Sequence, residues 1–444
     1  MNTPICDFVR SYVNSEPLRL HMPGHKGVGF LGCEAIDLTE IQGADSLYEA
    51  DGIIKESEDN ASTLFGCRTL YSTEGSSLSI RAMLYLVCLY AKQKGECPYI
   101  LAGRNAHKVF LSAAALLDFE LDWLYPSGES SYLSCTINAQ LLESKLNSVK
   151  KKPTAVYLTS PDYLGNEIDI RAIAEVCHRY GVLLLIDNAH GAYLKFLNPS
   201  RHPIDLGADM CCDSAHKTLP SLTGGAYLHI SDDAPQIFKD SAKDAMSLFG
   251  STSPSYLILQ SLDAVNKYLA EGYDEKLVNL SHAVKQLKQK LQSYGYDICK
   301  SEELKVTIKT KSYGYYGTDF AEILSSKGLF CEYSDPDFIV MMLTPEIESR
   351  LDEVSAIMQS IPSREIIDGK PPIISETTKK LSVRDAYFSN YEEICTENAL
   401  GRILAVSDVS CPPAVPVLVS GELIDDSSIK CFQYYGITKC KVIK

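Results

Sequence analysis

The stretch from Ala155 to Asp187 limits what this chain can fold into more than any other. Ala155-Val-Tyr-Leu-Thr-Ser160 is a short apolar run stopped by Pro161. Ile170, Ile173, Ala174 and Cys177 then mark one face of a helix that Gly181 closes, and Val182-Leu-Leu-Leu-Ile186 is a second apolar run. Strand, helix and strand in this order make a βαβ unit, whose strands run parallel and whose crossover is right-handed. Upstream, Pro98-Tyr-Ile-Leu-Ala102 predicts a strand and Val109 to Leu117 an apolar helix. Downstream, Ala208 to Cys212 and Gly225 to Ile230 predict further strands. Residues 46–255 are therefore expected to form one α/β layer domain on a mostly parallel sheet, preceded by an N-terminal arm, 1–45.

Beyond Pro254 the pattern changes. A long charged helical region runs to about Ser293, followed by a predicted strand at Leu304 to Lys309 and a helix near Asp319 to Lys327. Strands at Phe330 to Tyr333 and Phe338 to Leu343 and a helix from Pro345 to Ser360 complete a smaller α+β domain, 256–361. Pro362 to Pro372, with charges and three prolines, predicts a linker to a C-terminal segment, 373–444.

Charge and cysteine usage remove several function classes. The 444 residues hold 42 Lys+Arg against 57 Asp+Glu, a net charge of -15, the wrong sign for a surface that neutralises phosphates. Nucleic acid is excluded as an expected partner. The longest apolar run, Ala82 to Ala91, is too short to cross a bilayer and predicts a buried helix, so no membrane partner is expected either. Fifteen cysteines, an odd number in a long chain, have no CxxC spacing, and the opening MNTPICDFVRSYVNSEP lacks the apolar core of a secretory signal. They read as reduced core residues of a cytoplasmic protein.

In open parallel sheets ligands bind beyond the carboxyl ends of the strands. Four segments at such places carry polar residues: Ser72-Thr-Glu-Gly75-Ser76-Ser77, Arg104-Asn-Ala-His107-Lys108, Asp187-Asn-Ala-His190 and Asp213-Ser214-Ala215-His216-Lys217. Singly each has an ordinary explanation: a helix cap, a loop histidine, a turn acid, a solvated lysine. Together they supply what pyridoxal phosphate requires, which is a lysine for the covalent link, a carboxylate facing the pyridine nitrogen, a stackable imidazole and a helix terminus for the phosphate. Asp187 suits the second role, since an opposite charge about 4 Å away is worth roughly 4 kcal/mol at an effective dielectric near 20. His107 could stack on the ring, and Ser214 and His216 could reach the phosphate.

At these residues the chain resembles the Orn/Lys/Arg decarboxylases, enzymes of the aspartate-aminotransferase fold (fold type I), and is most similar to the compact members without an N-terminal regulatory domain. The resemblance runs through Leu20-His-Met-Pro-Gly-His-Lys-Gly27, Arg104 to Lys108, Ser160-Pro-Asp-Tyr163, Asp187-Asn-Ala-His190-Gly191, Ser214-Ala-His-Lys217, Ser251-Thr-Ser-Pro-Ser-Tyr256 and Pro412-Pro-Ala-Val-Pro416 leading to Gly421-Glu422. It implies a large pyridoxal-phosphate domain and a smaller α+β domain, and α-decarboxylation of arginine, lysine or ornithine to agmatine or a diamine in polyamine synthesis. It further implies Lys217 as the cofactor-linked lysine, Asp187 as the partner of the ring nitrogen and His107 as the stacking residue. Ser76, Ser77, Ser214 and His216 would hold the phosphate, with Ala189 on the cofactor loop and Ser251 reaching from a neighbouring subunit. His190 and Glu422 are candidate substrate contacts, Glu422 for a distal cation. Active sites shared in a homodimer or larger homo-oligomer are implied as well.

The chain departs from the family pattern at Glu74, where Asn is usual, at Asp45 to Asp51, at Asp162 in place of Thr, at Asn188 where compact members often have Glu, and at Ala414 and Ser420. These positions leave two alternatives open: another pyridoxal-phosphate enzyme, an aminotransferase or β-lyase using Arg384 or Arg402 to grip a carboxylate, or a non-catalytic homologue. His21 and His25 have the i,i+4 spacing of metal ligands, but Pro23-Gly24 between them opposes a helix. A structured arm near the active site is expected there, and no metal.

Overall fold

The computed structural model describes residues 1–126, 131–411 and 415–444. Its first strands are β1 (Arg68–Ser72), β2 (Tyr99–Gly103), β3 (Glu120–Leu124), β4 (Ala155–Thr159), β5 (Leu183–Asp187), β6 (Met210–Asp213) and β7 (Ala226–Ile230). The helices among them are α1 (Pro4–Asn14), α2 (Ile53–Phe65), α3 (Gly75–Gln93), α4 (Lys108–Leu117), α5 (Ala139–Ser148), α6 (Ile170–Arg179) and the single turn α7 (Ala215–Thr218). The chain gathers into two units, neither of them one continuous run: residues 1–96 with 183–276, and 97–182 with 277–444.

In the first unit β5 pairs parallel with β6, placing Asp187 opposite Cys212. β7 joins β6 antiparallel, and β1 joins β7 antiparallel with Leu70 opposite Leu228. Every residue of β5, β6 and β7 is buried, which is why these strands read as continuous apolar runs rather than alternating ones. α3 packs on β1, β6 and β7, and its Met83, Leu84 and Val87 are fully buried, each worth roughly 1.5–3 kcal/mol. The arm preceding α2 is structured by local pairs: His21 meets the Tyr12 hydroxyl and His25 lies 3.2 Å from Asp37. Asp45, at φ 69°, turns its carboxylate onto the N-terminus of α2, accepting from Gly52 N at 2.9 Å and Ile54 N at 3.0 Å. This is what the Asp45 to Asp51 departure does locally.

In the second unit β2 lies between β3 and β4 with all three parallel, Ile100 standing opposite both Leu121 and Ala155. A four-stranded antiparallel sheet follows, in the order β10 (Tyr333–Ser334), β11 (Phe338–Met342), β9 (Lys305–Lys309), β8 (Asp297–Ile298). Near the C-terminus Tyr391–Cys395 pairs antiparallel with Lys439–Ile443. The expected helix from Pro345 begins as a 3-10 turn, Pro345–Arg350, and becomes α-helical at Leu351–Gln359. β3 has no clear sequence signal because it is half-exposed and carries Glu120 and Asp122 among its apolar residues. No described helix is long and apolar enough to cross a membrane. Fourteen cysteines are free of disulfides, and eight of them, Cys67 to Cys440, are buried.

Candidate active site

β5 and β6 run side by side in the same direction, so Asp187 and Asp213 emerge at one edge of the first unit. Asp187 is 3% exposed. Its Oδ1 accepts from Ala189 N at 3.2 Å and from the Cys212 thiol at 3.7 Å. Burial, and then the Asp187 charge, push Cys212 well above the ordinary thiol range, so it remains a protonated donor to the carboxylate. The loop is closed by Asn188 N on Cys212 O at 3.0 Å and Gly191 N on Asn188 O at 2.8 Å. Within that turn His190 is carried to Lys217, Nε2 to Nζ 2.9 Å. Lys217 sits in α7, directly after Ser214.

The same edge holds the N-terminus of α3, and its cap residue, Glu74, makes no side-chain capping bond. Gly75 adopts φ 69° and donates to Gly224 O at 2.7 Å, conformational freedom that only glycine supplies at low cost. Ser76 Oγ accepts from Ser214 Oγ at 2.8 Å, and Ser77 follows in the same first turn. His216 donates from Nδ1 to Gly225 O at 2.9 Å, and its Cε1 would lie 3.9 Å from a Cβ on Gly75, so ring and helix terminus are neighbours. Glu74 turns its carboxylate away, accepting from Ser251 N at 2.6 Å. Tyr48 beside it is pushed up to about 12 by burial and then by the Glu74 charge. Ser251 is exposed, on the loop that this contact ties.

His107 and Glu422 belong to the second unit. His107 is half-buried and caps α4, Nδ1 accepting from Val109 N at 3.2 Å, so that the proton of the neutral ring resides on Nε2. Glu422 is buried against the fully buried Arg104 at 3.5 Å and accepts from Val419 N at 2.7 Å. Arg104 also donates to Pro416 O at 2.8 Å and Val417 O at 3.0 Å. Burial alone would lower Arg104, but Glu422 together with Tyr125 and Tyr132 outweighs it and raises the guanidinium above its usual value. Arg384 donates to Ala115 O at 2.8 Å, and Arg402 to Glu392 at 2.8 Å and Ile443 O at 2.7 Å, which gives the two expected carboxylate grips other partners. The Pro412 to Ala414 part of the C-terminal motif lies outside the described residues.

The model of the family described as "Orn/Lys/Arg decarboxylase, major domain" matches residues 3–311. The chain belongs to the Orn/Lys/Arg decarboxylase family. It is 28% identical to the arginine decarboxylase of Bacillus subtilis over 462 residues, covering 96% of this chain and 92% of that one. Among solved structures it is similar to the Francisella novicida lysine decarboxylase LdcF, with a TM-score of 0.81 at 16% identity, over 100% of this chain and 81% of that one. The constitutive lysine decarboxylase of Escherichia coli matches with a TM-score of 0.75 at 17% identity, over 100% of this chain and 82% of that one. The fold is therefore the α/β, aspartate-aminotransferase-like type I fold that the sequence motifs implied.

The residues present fit the cofactor implied by this Orn/Lys/Arg decarboxylase fold: hydroxyls, an imidazole and a helix terminus stand together, and a lysine stands by a loop that starts at a buried carboxylate. Sequence reasoning missed the group beneath that loop. Asp213, His202 and His229 are all 0% exposed, with both imidazole Nε2 atoms 3.1 Å from Asp213 Oδ2. Burial would raise Asp213, but His202 and His229 hold it below the usual carboxylate range, while Asp213 and Cys67 together outweigh the burial of His229 and raise that imidazole. The signal was present in Asp213 itself, a carboxylate ending an otherwise apolar strand.

Proposed function

We propose that the protein is a pyridoxal-phosphate-dependent α-decarboxylase of a basic amino acid, arginine, lysine or ornithine, releasing CO2 and agmatine or a diamine. The observation that carries this reading is the 2.9 Å meeting of Lys217 Nζ with His190 Nε2 on a loop that begins with the buried Asp187. Lys217 would hold the cofactor's aldehyde, Asp187 its ring nitrogen, and Ser76, Ser77, Ser214 and His216 its phosphate, with Ala189 lining the loop. His107 would stack on the ring. Pyridoxal phosphate, when bound, supplies a protonated ring that accommodates the electron pair left by a departing carboxylate.

The chain's own groups do the rest. His190 and Lys217 share one proton across a hydrogen bond, so one of the two holds it and the other has the lone pair that the incoming substrate amine needs. The buried position of His190 keeps that proton from exchanging freely with water, and the same pair is placed to return a proton to the substrate carbon. The B. subtilis relative, an arginine decarboxylase, supports a basic substrate. We further propose a cytoplasmic homodimer or larger homo-oligomer, with Ser251 of each chain serving a neighbour's site.

The test is release of CO2 from arginine, lysine and ornithine by the purified protein with added cofactor. One of the three is expected to be turned over at least 100-fold faster than a non-basic amino acid. Equal or absent release across the panel would overturn the proposal.

A further inference from the structure

Asp213 is the last residue of β6 and the meeting point of two loops. Its Oδ2 receives His202 and His229, and its Oδ1 accepts from Asn188 Nδ2 at 2.6 Å. The hydroxyl of Thr69 lies 2.9 Å from His229 Nδ1 and 3.4 Å from Cys67 O, so it ties the far side of that imidazole. His229 faces the carboxylate with a proton on Nε2, since an ionised carboxylate only accepts. The titratable groups packed round Asp213 include His202, His229, Cys211, Cys212 and Tyr227. The carboxylate is fixed from below by imidazoles and leaves one oxygen for the loop above.

Asn188 is equally fixed. A Cβ on Gly191 would come within 2.0 Å of Asn188 Oδ1, so the glycine is what makes room for this amide. The departure at this position also finds its reason: a glutamate at 188 would set a second carboxylate against Asp213, whereas the amide donates to it. One residue further along the chain, Ser214 bonds Ser76 and opens the turn that carries Lys217. The two residues on either side of the Lys217–His190 contact are thereby referenced to the same buried carboxylate.

We infer that Asp213 is a positioning residue which, through Asn188, holds His190 against Lys217 and so sets how those two share a proton. This rests on the assignment of Lys217 as the working amine, but its test does not need the cofactor. In the cofactor-free protein, labelling of Lys217 by an amine-reactive trinitrobenzenesulfonate probe is followed against pH and located by mass spectrometry. Asn188→Ala removes the link and leaves the Asp213–histidine cluster whole. The midpoint for Lys217 is expected to fall by about half a pH unit or more, because the hydrogen bond favouring its charged form is lost. Asn188→Asp alone and Asp213→Asn alone are expected to shift it as well, and the exchanged pair Asn188→Asp with Asp213→Asn to bring it most of the way back. A Lys217 midpoint in Asn188→Ala that coincides with the parent's, or an exchanged pair no closer to the parent than the worse single variant, would overturn the inference. Failure of the CO2 assay with a shifted midpoint would instead count against the decarboxylase reading alone.

Discussion

At the scale of single residues, Asp162 carries a pH signature that can be measured. It follows β4, is buried, and accepts from Asn166 N at 2.9 Å and Asn166 Nδ2 at 2.8 Å. Burial outweighs these bonds and raises its carboxyl to about 6. A raised carboxyl binds its proton more tightly in the folded state than in the unfolded one, so its contribution is complete below an unfolded value near 3.9 and is lost as pH rises through 6. Asp162→Asn removes this slope. Urea unfolding at about pH 4.5 and at about pH 7 is expected to show the variant gaining about 2 kcal/mol on the parent between the two. A gain below about 0.5 kcal/mol would mean that the carboxyl is solvated. The placement of Lys217, Asp187 and His107 at strand ends or helix starts was legible because the sequence displays the punctuation there. Asp213 was visible as a strand-end acid but not as a hub, because His202 and His229 reach it from segments 11 and 16 residues away.

Among the elements, the C-terminal segment is attached to the strand that ends before Arg104. That guanidinium holds two carbonyls of the 416–417 stretch and the Glu422 carboxylate, all buried. Glu422→Gln leaves a buried cation without its counter-charge, which costs roughly 3–5 kcal/mol when such a pair is broken. Chemical unfolding should register about 3 kcal/mol, the two carbonyl bonds being kept, and a loss under about 1 kcal/mol would make this an ordinary exposed pair. The sequence expected Glu422 to meet a substrate cation, and the partner found beside it is Arg104, which stands 318 positions earlier and is matched by no local pattern. The elements around Ala155 to Asp187 were readable because fully buried strands and an amphipathic helix announce themselves. β3, short, half-exposed and carrying acids, was not, nor was the 3-10 start of the helix after Pro345.

For the whole molecule, the family membership and the type I fold leave one claim on which the activity depends. Lys217 must be the amine that takes the cofactor, in a site bounded by Asp187, the α3 terminus and His190. The most direct measurement is the visible absorption of the purified protein mixed with pyridoxal phosphate, recorded for the parent and for Lys217→Ala. A new band is expected in the parent, saturating at one cofactor per chain, and its loss in the variant. An identical band in both proteins, or none in the parent, would contradict that claim.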